Sequence, residues 1–169
     1  MSSKSDNVLF LCTGNSARSI MAEAILNREG RGRFKASSAG SHPAGAVNSF
    51  ALDLLQNKDY PTGELRSKSW DEFAQSKATQ FDVIITVCDY AAGEACPIWP
   101  GQPVTAHWGF PDPAAYQGTD REIATRFADV FGQIHARIMQ FIALPFEGLD
   151  NAARRQHLDA LGEIPMENS

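Results

Sequence analysis

The apolar run Val8-Leu9-Phe10-Leu11 stops at Cys12, crosses Thr13-Gly14-Asn15-Ser16-Ala17 and enters Arg18-Ser19 and the pattern Met21-Ala22-Glu23-Ala24-Ile25-Leu26. The first run reads as a buried strand and the last as a helix. A strand-to-helix turn gathers backbone N–H groups and the positive end of the helix dipole at one point, which makes a seat for a tetrahedral oxyanion. A chain built around such a turn is an α/β chain.

Cys12 stands at the lip of that seat. The field that holds an anion also favours thiolate over thiol, so a cysteine whose free pKa is about 8.5 is expected to fall to roughly 3.5–7.5 in such a place. That makes Cys12 a nucleophile at neutral pH. Arg18, six residues on, offers a planar fork for two oxygens of the bound anion. Ser19 is placed to donate a hydrogen bond to the thiolate. The alternative, a small buried hydrophobe ending a strand with a surface arginine beyond it, leaves the joint Cys-x5-Arg-Ser spacing unexplained. A nucleotide P-loop is excluded because no Gly-Lys-Ser/Thr closes the turn.

With 169 residues, 43% of them hydrophobic, the chain suffices for one domain with a substantial core, and none of its composition calls for a second. Its net charge of −5 argues against nucleic acid or an anionic membrane as partner. The anion seat must therefore be local. The polar start Ser2-Ser3-Lys4-Ser5-Asp6 lacks the pattern of a signal peptide, and no run is long enough to span a bilayer. The cytoplasm is the expected compartment. Its three cysteines, Cys12, Cys88 and Cys96, would be reduced there, so a disulfide among them would be catalytic rather than structural.

Further along, Phe34–Ala39 reads as a second strand closed by Gly40, Val47–Leu55 as a second helix, and Asp59-Tyr60-Pro61-Thr62-Gly63 as its break. Ser69-Trp70-Asp71-Glu72-Phe73 reads as a short helix with Ser69 as cap and Glu72 completing a capping box. Phe81–Val87 is the clearest central strand and also ends at a cysteine, Cys88. Ligands bind off the carboxyl ends of parallel strands, so the strands before Cys12 and Cys88 are expected to bring both thiols to one edge. A long Gly- and Pro-rich region, Asp89 to Thr119, contains Cys96, a short last strand at Val104-Thr105-Ala106 and His107-Trp108-Gly109-Phe110-Pro111-Asp112-Pro113. From about Asp120 to Phe141 a helix presents Ile123, Phe127, Val130, Phe131, Ile134 and Ile138 on one stripe, which Ile142 continues. Leu149 to Leu161 reads as a final helix, with a frayed tail beyond Gly162. The expectation is one catalytic domain over residues 1–169. It is a three-layer α/β sandwich on a small parallel sheet of about four strands, with a core over 7–145 and a C-terminal extension over 146–169.

At Cys12 to Ser19, Cys88 and His107 to Pro113 the chain resembles arsenate reductases of the type that shares its fold with low-molecular-weight protein tyrosine phosphatases. The resemblance implies that fold. It makes the loop Thr13, Gly14, Asn15, Ser16, Ala17, Arg18 and Ser19 the oxyanion-binding segment, with Asn15 bracing it, and Asp112 of the Asp112-Pro113 pair the general acid. Cys88 and Cys96 would carry oxidising equivalents away from Cys12, and an external thiol reductant, thioredoxin or glutathione with glutaredoxin, would close the cycle on a monomer with no bound cofactor. In some relatives a monovalent cation sits near the positions of Asn15 and Glu23. Here Glu64-Leu65-Arg66-Ser67-Lys68 departs from that pattern, so Lys68 is expected to supply the positive charge and no metal.

The loop alone does not separate reductase from phosphatase. Cys88 and Cys96 favour the reductase, since ester hydrolysis needs neither, and Tyr116 stands alone after Asp112 where a phosphotyrosine pocket would want an aromatic pair. A zinc site from Cys88, Cys96 and His107 lacks a fourth ligand. Trp108 and Phe110 are expected to form an apolar wall that holds the acid loop.

Overall fold

Residues 5–74, 80–87 and 103–163 are described by the computed structural model. Cys88, Cys96 and the expected frayed tail beyond Gly162, apart from Glu163 at the end of the last helix, lie outside the described residues. The elements are β1 (Asp6–Leu11), α1 (Arg18–Glu29), β2 (Phe34–Ala39), α2 (Ser49–Asn57), α3 (Asp71–Ala74), β3 (Val83–Thr86), β4 (Val104–His107), α4 (Asp120–Ile142) and α5 (Asn151–Glu163). Single 3-10 turns at Pro113–Ala115 and Phe146–Gly148 flank α4.

The four strands form one parallel sheet in the order β2-β1-β3-β4. β1 lies inside it, and Val8, Leu9, Phe10 and Leu11 are all fully buried, as an unbroken apolar run requires. Alternation along the strands divides the core. Val8, Phe10, Val83 and Ile85 face the larger layer made with α1, α4 and α5, while Leu9, Leu11 and Ile84 face a smaller one with Trp70, Phe73 and Phe81. The sandwich is thus three layers deep, as expected. Among the described residues no helix is long and apolar enough to cross a membrane.

The bounds of α2, β4 and α5 shift by one or two residues from expectation, and two further differences have named partners. The central strand starts at Val83 rather than Phe81, because the Asp82 carboxylate turns back to accept the Asn7 N–H (2.8 Å) and the Phe81 ring packs edge-on against Phe73 across 5.3 Å. The capping box at Ser69 does not form. Ser69 Oγ accepts the Asp71 N–H (3.1 Å), but the Glu72 carboxylate is taken in two-pronged fashion by the Arg66 guanidinium at 3.0 and 2.6 Å. The true capping box is at Thr119 and Glu122, where α4 begins.

The stripe on α4 is buried at Phe127, Val130, Phe131, Ile134 and Ile138, with Ile123 and Ile142 packed at its ends. The segment beyond 145 is no loose appendage. Phe146, Leu158 and Leu161 are buried in the same core, and Arg154 of α5 lies 4.1 Å above the Phe146 ring and within 3.8 Å of Asp6.

Candidate active site

β1 ends one residue before Cys12, whose N–H donates to the Ala39 carbonyl (3.1 Å) and whose side chain is buried. From there the loop rises to α1, and its outer side is tied down. The carbonyls of Thr13, Gly14 and Ser16 accept the backbone N–H groups of His42 (2.9 Å), Ala44 (2.9 Å) and Asn48 (2.8 Å). In a trans peptide the C=O and the next N–H point opposite ways, so carbonyls fixed outward turn the N–H groups of Gly14, Asn15 and Ala17 inward. The helix then begins with Ala17 at its N-cap, no side-chain cap among the described residues and no acid in its first turn. The positive end of α1 is left for an external anion.

Asn15 holds the loop from inside. Fully buried, with φ 46° in the left-handed region that asparagine tolerates, it accepts the Lys68 N–H on Oδ1 (2.9 Å) and donates from Nδ2 to Ser19 Oγ (2.8 Å). Ser67 Oγ donates to the Gly14 carbonyl (3.2 Å). Gly40, at the end of β2, passes so close that a Cβ there would stand 2.5 Å from the Thr13 oxygen and 2.6 Å from that of Cys12. Only a residue without a side chain fits.

Behind the loop a buried charge pair sits against α1. Glu23 accepts a hydrogen bond from Ser38 (2.5 Å) and lies 3.8 Å from the Lys68 ammonium, which also donates to the Arg66 carbonyl (3.0 Å). Burial pushes the Glu23 carboxyl up against the opposing pull of Ser38 and Lys68, and burial pushes the Lys68 ammonium down against the pull of Glu23. The ammonium of Lys68 thus stands beside Glu23. Among the described residues no cluster of three or more His, Cys, Asp or Glu is arranged to hold a metal.

Arg18, the first residue of α1, crosses to the segment after β4. Its Nη1 donates to the Phe110 carbonyl (3.0 Å) and its Nη2 lies 3.6 Å from the Asp112 carboxylate. Asp112 in turn caps the turn at Pro113–Ala115 by accepting the Ala114 N–H (3.0 Å), and keeps 42% of its side chain exposed. Trp108 and Phe110, the pair expected to wall the acid loop, are both buried. His107 stays exposed, its Nδ1 2.7 Å from Thr86 Oγ1. Tyr116 is partly exposed under the Arg126 guanidinium, 5.0 Å from its ring.

The seat residues, Arg18 and Asp112 therefore meet at one end of the sheet. Val87, the residue before Cys88, donates to the carbonyl of Leu11, the residue before Cys12 (2.9 Å). The Phe110 carbonyl, Ser67 and Gly40 carry no signal in the sequence for what they do; of the three, only Gly40 is marked, as a glycine closing a strand.

A family model for low molecular weight phosphotyrosine protein phosphatase matches residues 7–155. The chain belongs to that family. Among its relatives the arsenate reductase of Halalkalibacterium halodurans is 37% identical over 134 residues, which are 79% of this chain and 93% of that protein. The crystal structure of an arsenate reductase from Archaeoglobus fulgidus superposes with a TM-score of 0.64 at 28% identity, covering 81% of this chain and 99% of that one. Another arsenate reductase, solved in a phosphate-binding state, gives a TM-score of 0.65 at 27% identity over 82% of this chain and 97% of its own. The match to the phosphatase family model ends inside α5.

Proposed function

We propose that this family member is an arsenate reductase acting as a monomer in the cytoplasm. The observation that carries the reading is the 37% identity to an arsenate reductase along nearly all of that protein. Two cysteines beyond the nucleophile, at 88 and 96, agree with it.

Arsenate sits on the inward N–H groups of the loop from Thr13 to Ser19 and on Arg18, which leaves its contacts at Phe110 and Asp112 to close on the anion. The Cys12 thiolate attacks arsenic, an As–O bond breaks, and Asp112 protonates the departing oxygen, giving water and a Cys12 sulfur–arsenic adduct. The Cys88 thiolate then attacks the Cys12 sulfur. A Cys12–Cys88 disulfide forms while the pair of electrons in the sulfur–arsenic bond passes to arsenic, which leaves as three-valent arsenite. Cys96 attacks Cys88 to release Cys12, and thioredoxin, or glutathione with glutaredoxin, reduces the Cys88–Cys96 disulfide. The pairing of Val87 with Leu11 supports this order, because it makes neighbours of the residues that precede the first two thiols.

A second reading, hydrolysis of phosphate monoesters through a Cys12 phosphocysteine, rests on the shared seat and the family, and is expected as a weak side activity. One assay separates the two. Arsenate should drive thioredoxin-dependent NADPH oxidation, and Cys88→Ser should abolish it while sparing ester hydrolysis. Equal loss of both activities, or no arsenate-driven oxidation with either thioredoxin or glutaredoxin, would refute the reductase.

A further inference from the structure

α5 reaches the acid loop from behind at two points. The fully buried Trp108 indole donates from Nε1 to the Leu158 carbonyl (3.0 Å). Gly162, in the last turn of α5, packs so tightly on the end of β4 that a Cβ there would collide with the His107 carbonyl oxygen and come within 3.0 Å of the Trp108 ring. The close approach leaves no room for a side chain at this position. Both Leu158 and Gly162 lie beyond residue 155, where the family match ends.

What Trp108 anchors is short and tied down on both sides of Gly109. The Trp108 N–H donates to the Thr86 carbonyl (2.7 Å) and that of Phe110 to the Val87 carbonyl (3.2 Å), and Pro111 fixes one more backbone angle before Asp112. Phe110 offers its carbonyl to Arg18, whose other nitrogen faces Asp112. Gly109 is the one flexible residue on this path, and the hydrogen bonds on either side of it hold its ends in place, so a shift at the indole is passed on toward the acid.

We infer that the Leu158–Gly162 turn of α5 positions the Asp112 acid through Trp108. Leu158, Gly162 and Trp108 are positioning residues that touch no substrate. The inference rests on the reading above in which Asp112 protonates the departing oxygen, and the test uses the ester hydrolysis expected of the same seat. General-acid help matters most when the leaving oxygen is a poor one. In the full chain, Trp108→Phe and Gly162→Ala, each assayed below its own melting transition, should lower kcat/KM for phenyl phosphate, which reports the step that expels the leaving group, about tenfold or more. With 4-nitrophenyl phosphate, whose leaving group departs unaided, kcat/KM should change less than about twofold. Asp112→Asn should show the same selectivity. If Asp112→Asn is selective and the other two depress both esters alike or neither, the α5 inference is overturned and the acid stands. If Asp112→Asn is itself unselective, or no ester is hydrolysed, the acid assignment and the inference fall together.

Discussion

Lys68 works at both ends. Its backbone N–H holds Asn15 and its ammonium faces Glu23, so one residue ties the floor of the anion loop to the charge behind it. In the intact protein the two burial effects run opposite ways with pH. The raised Glu23 carboxyl contributes stability that is present below its ordinary value of 4.5 and is lost as pH rises through its folded value. The lowered Lys68 ammonium contributes stability that is present above 10.5 and is lost as pH falls through its folded value. Replacing Lys68 by methionine removes the cation and leaves Glu23 buried alone, a change that costs about 3–5 kcal/mol when one partner of a buried pair is lost. Denaturant titration of Lys68→Met at pH 7.5 should show a deficit of that order, shrinking on acidification as Glu23 takes up a proton. A deficit that does not vary with pH would mean that packing, not charge, is what Lys68 supplies. The proposed nucleophile and the arginine were legible because their chemistry demands particular residue types at a fixed spacing, and the proposed acid through the resemblance carried by Asp112-Pro113. Ser67 and the Phe110 carbonyl were not, since a hydroxyl or a main-chain oxygen acquires its role only when the fold brings it to the loop.

Among the elements, the long helix α4 was legible nearly to the residue, because seven apolar positions at helical spacing leave a single face to bury. Short elements were less so. The box expected at Ser69 lost Glu72 to Arg66, and the central strand lost Phe81 to a ring contact, both outcomes of tertiary partners that local patterns do not contain. α4 also carries Gly132 in its interior, exposed and with nothing within 4 Å of where a Cβ would stand. Gly132→Ala therefore exchanges a costly helix residue for the best one and should stabilise the protein by about 0.5–1 kcal/mol. A thermal melt should move up by about 1–4 °C with the catalytic rate unchanged. A lower melting temperature would show that this stretch of α4 needs the flexibility of glycine.

At the scale of the molecule, four parallel strands send every strand-to-helix loop out at one end, and the anion loop, the acid loop and the residues before Cys12 and Cys88 all lie there. That concentration was implied by alternating strands and helices. The packing of the C-terminal helix into the main core was not, because its apolar residues are few and their partner, Trp108, is distant in the chain. The opposite end carries the turn between α1 and β2, where Gly32 is exposed at φ 87° with open space around it. A short Gly-Ser insertion at Gly32 should leave kcat/KM for arsenate within about twofold and the melting temperature nearly unchanged, as expected for exposed loop tips. A larger loss would mean that the two ends are coupled. One pole of this protein is thus available as a handle, a point for tethering it to a surface or attaching a dye while the working pole goes on turning over.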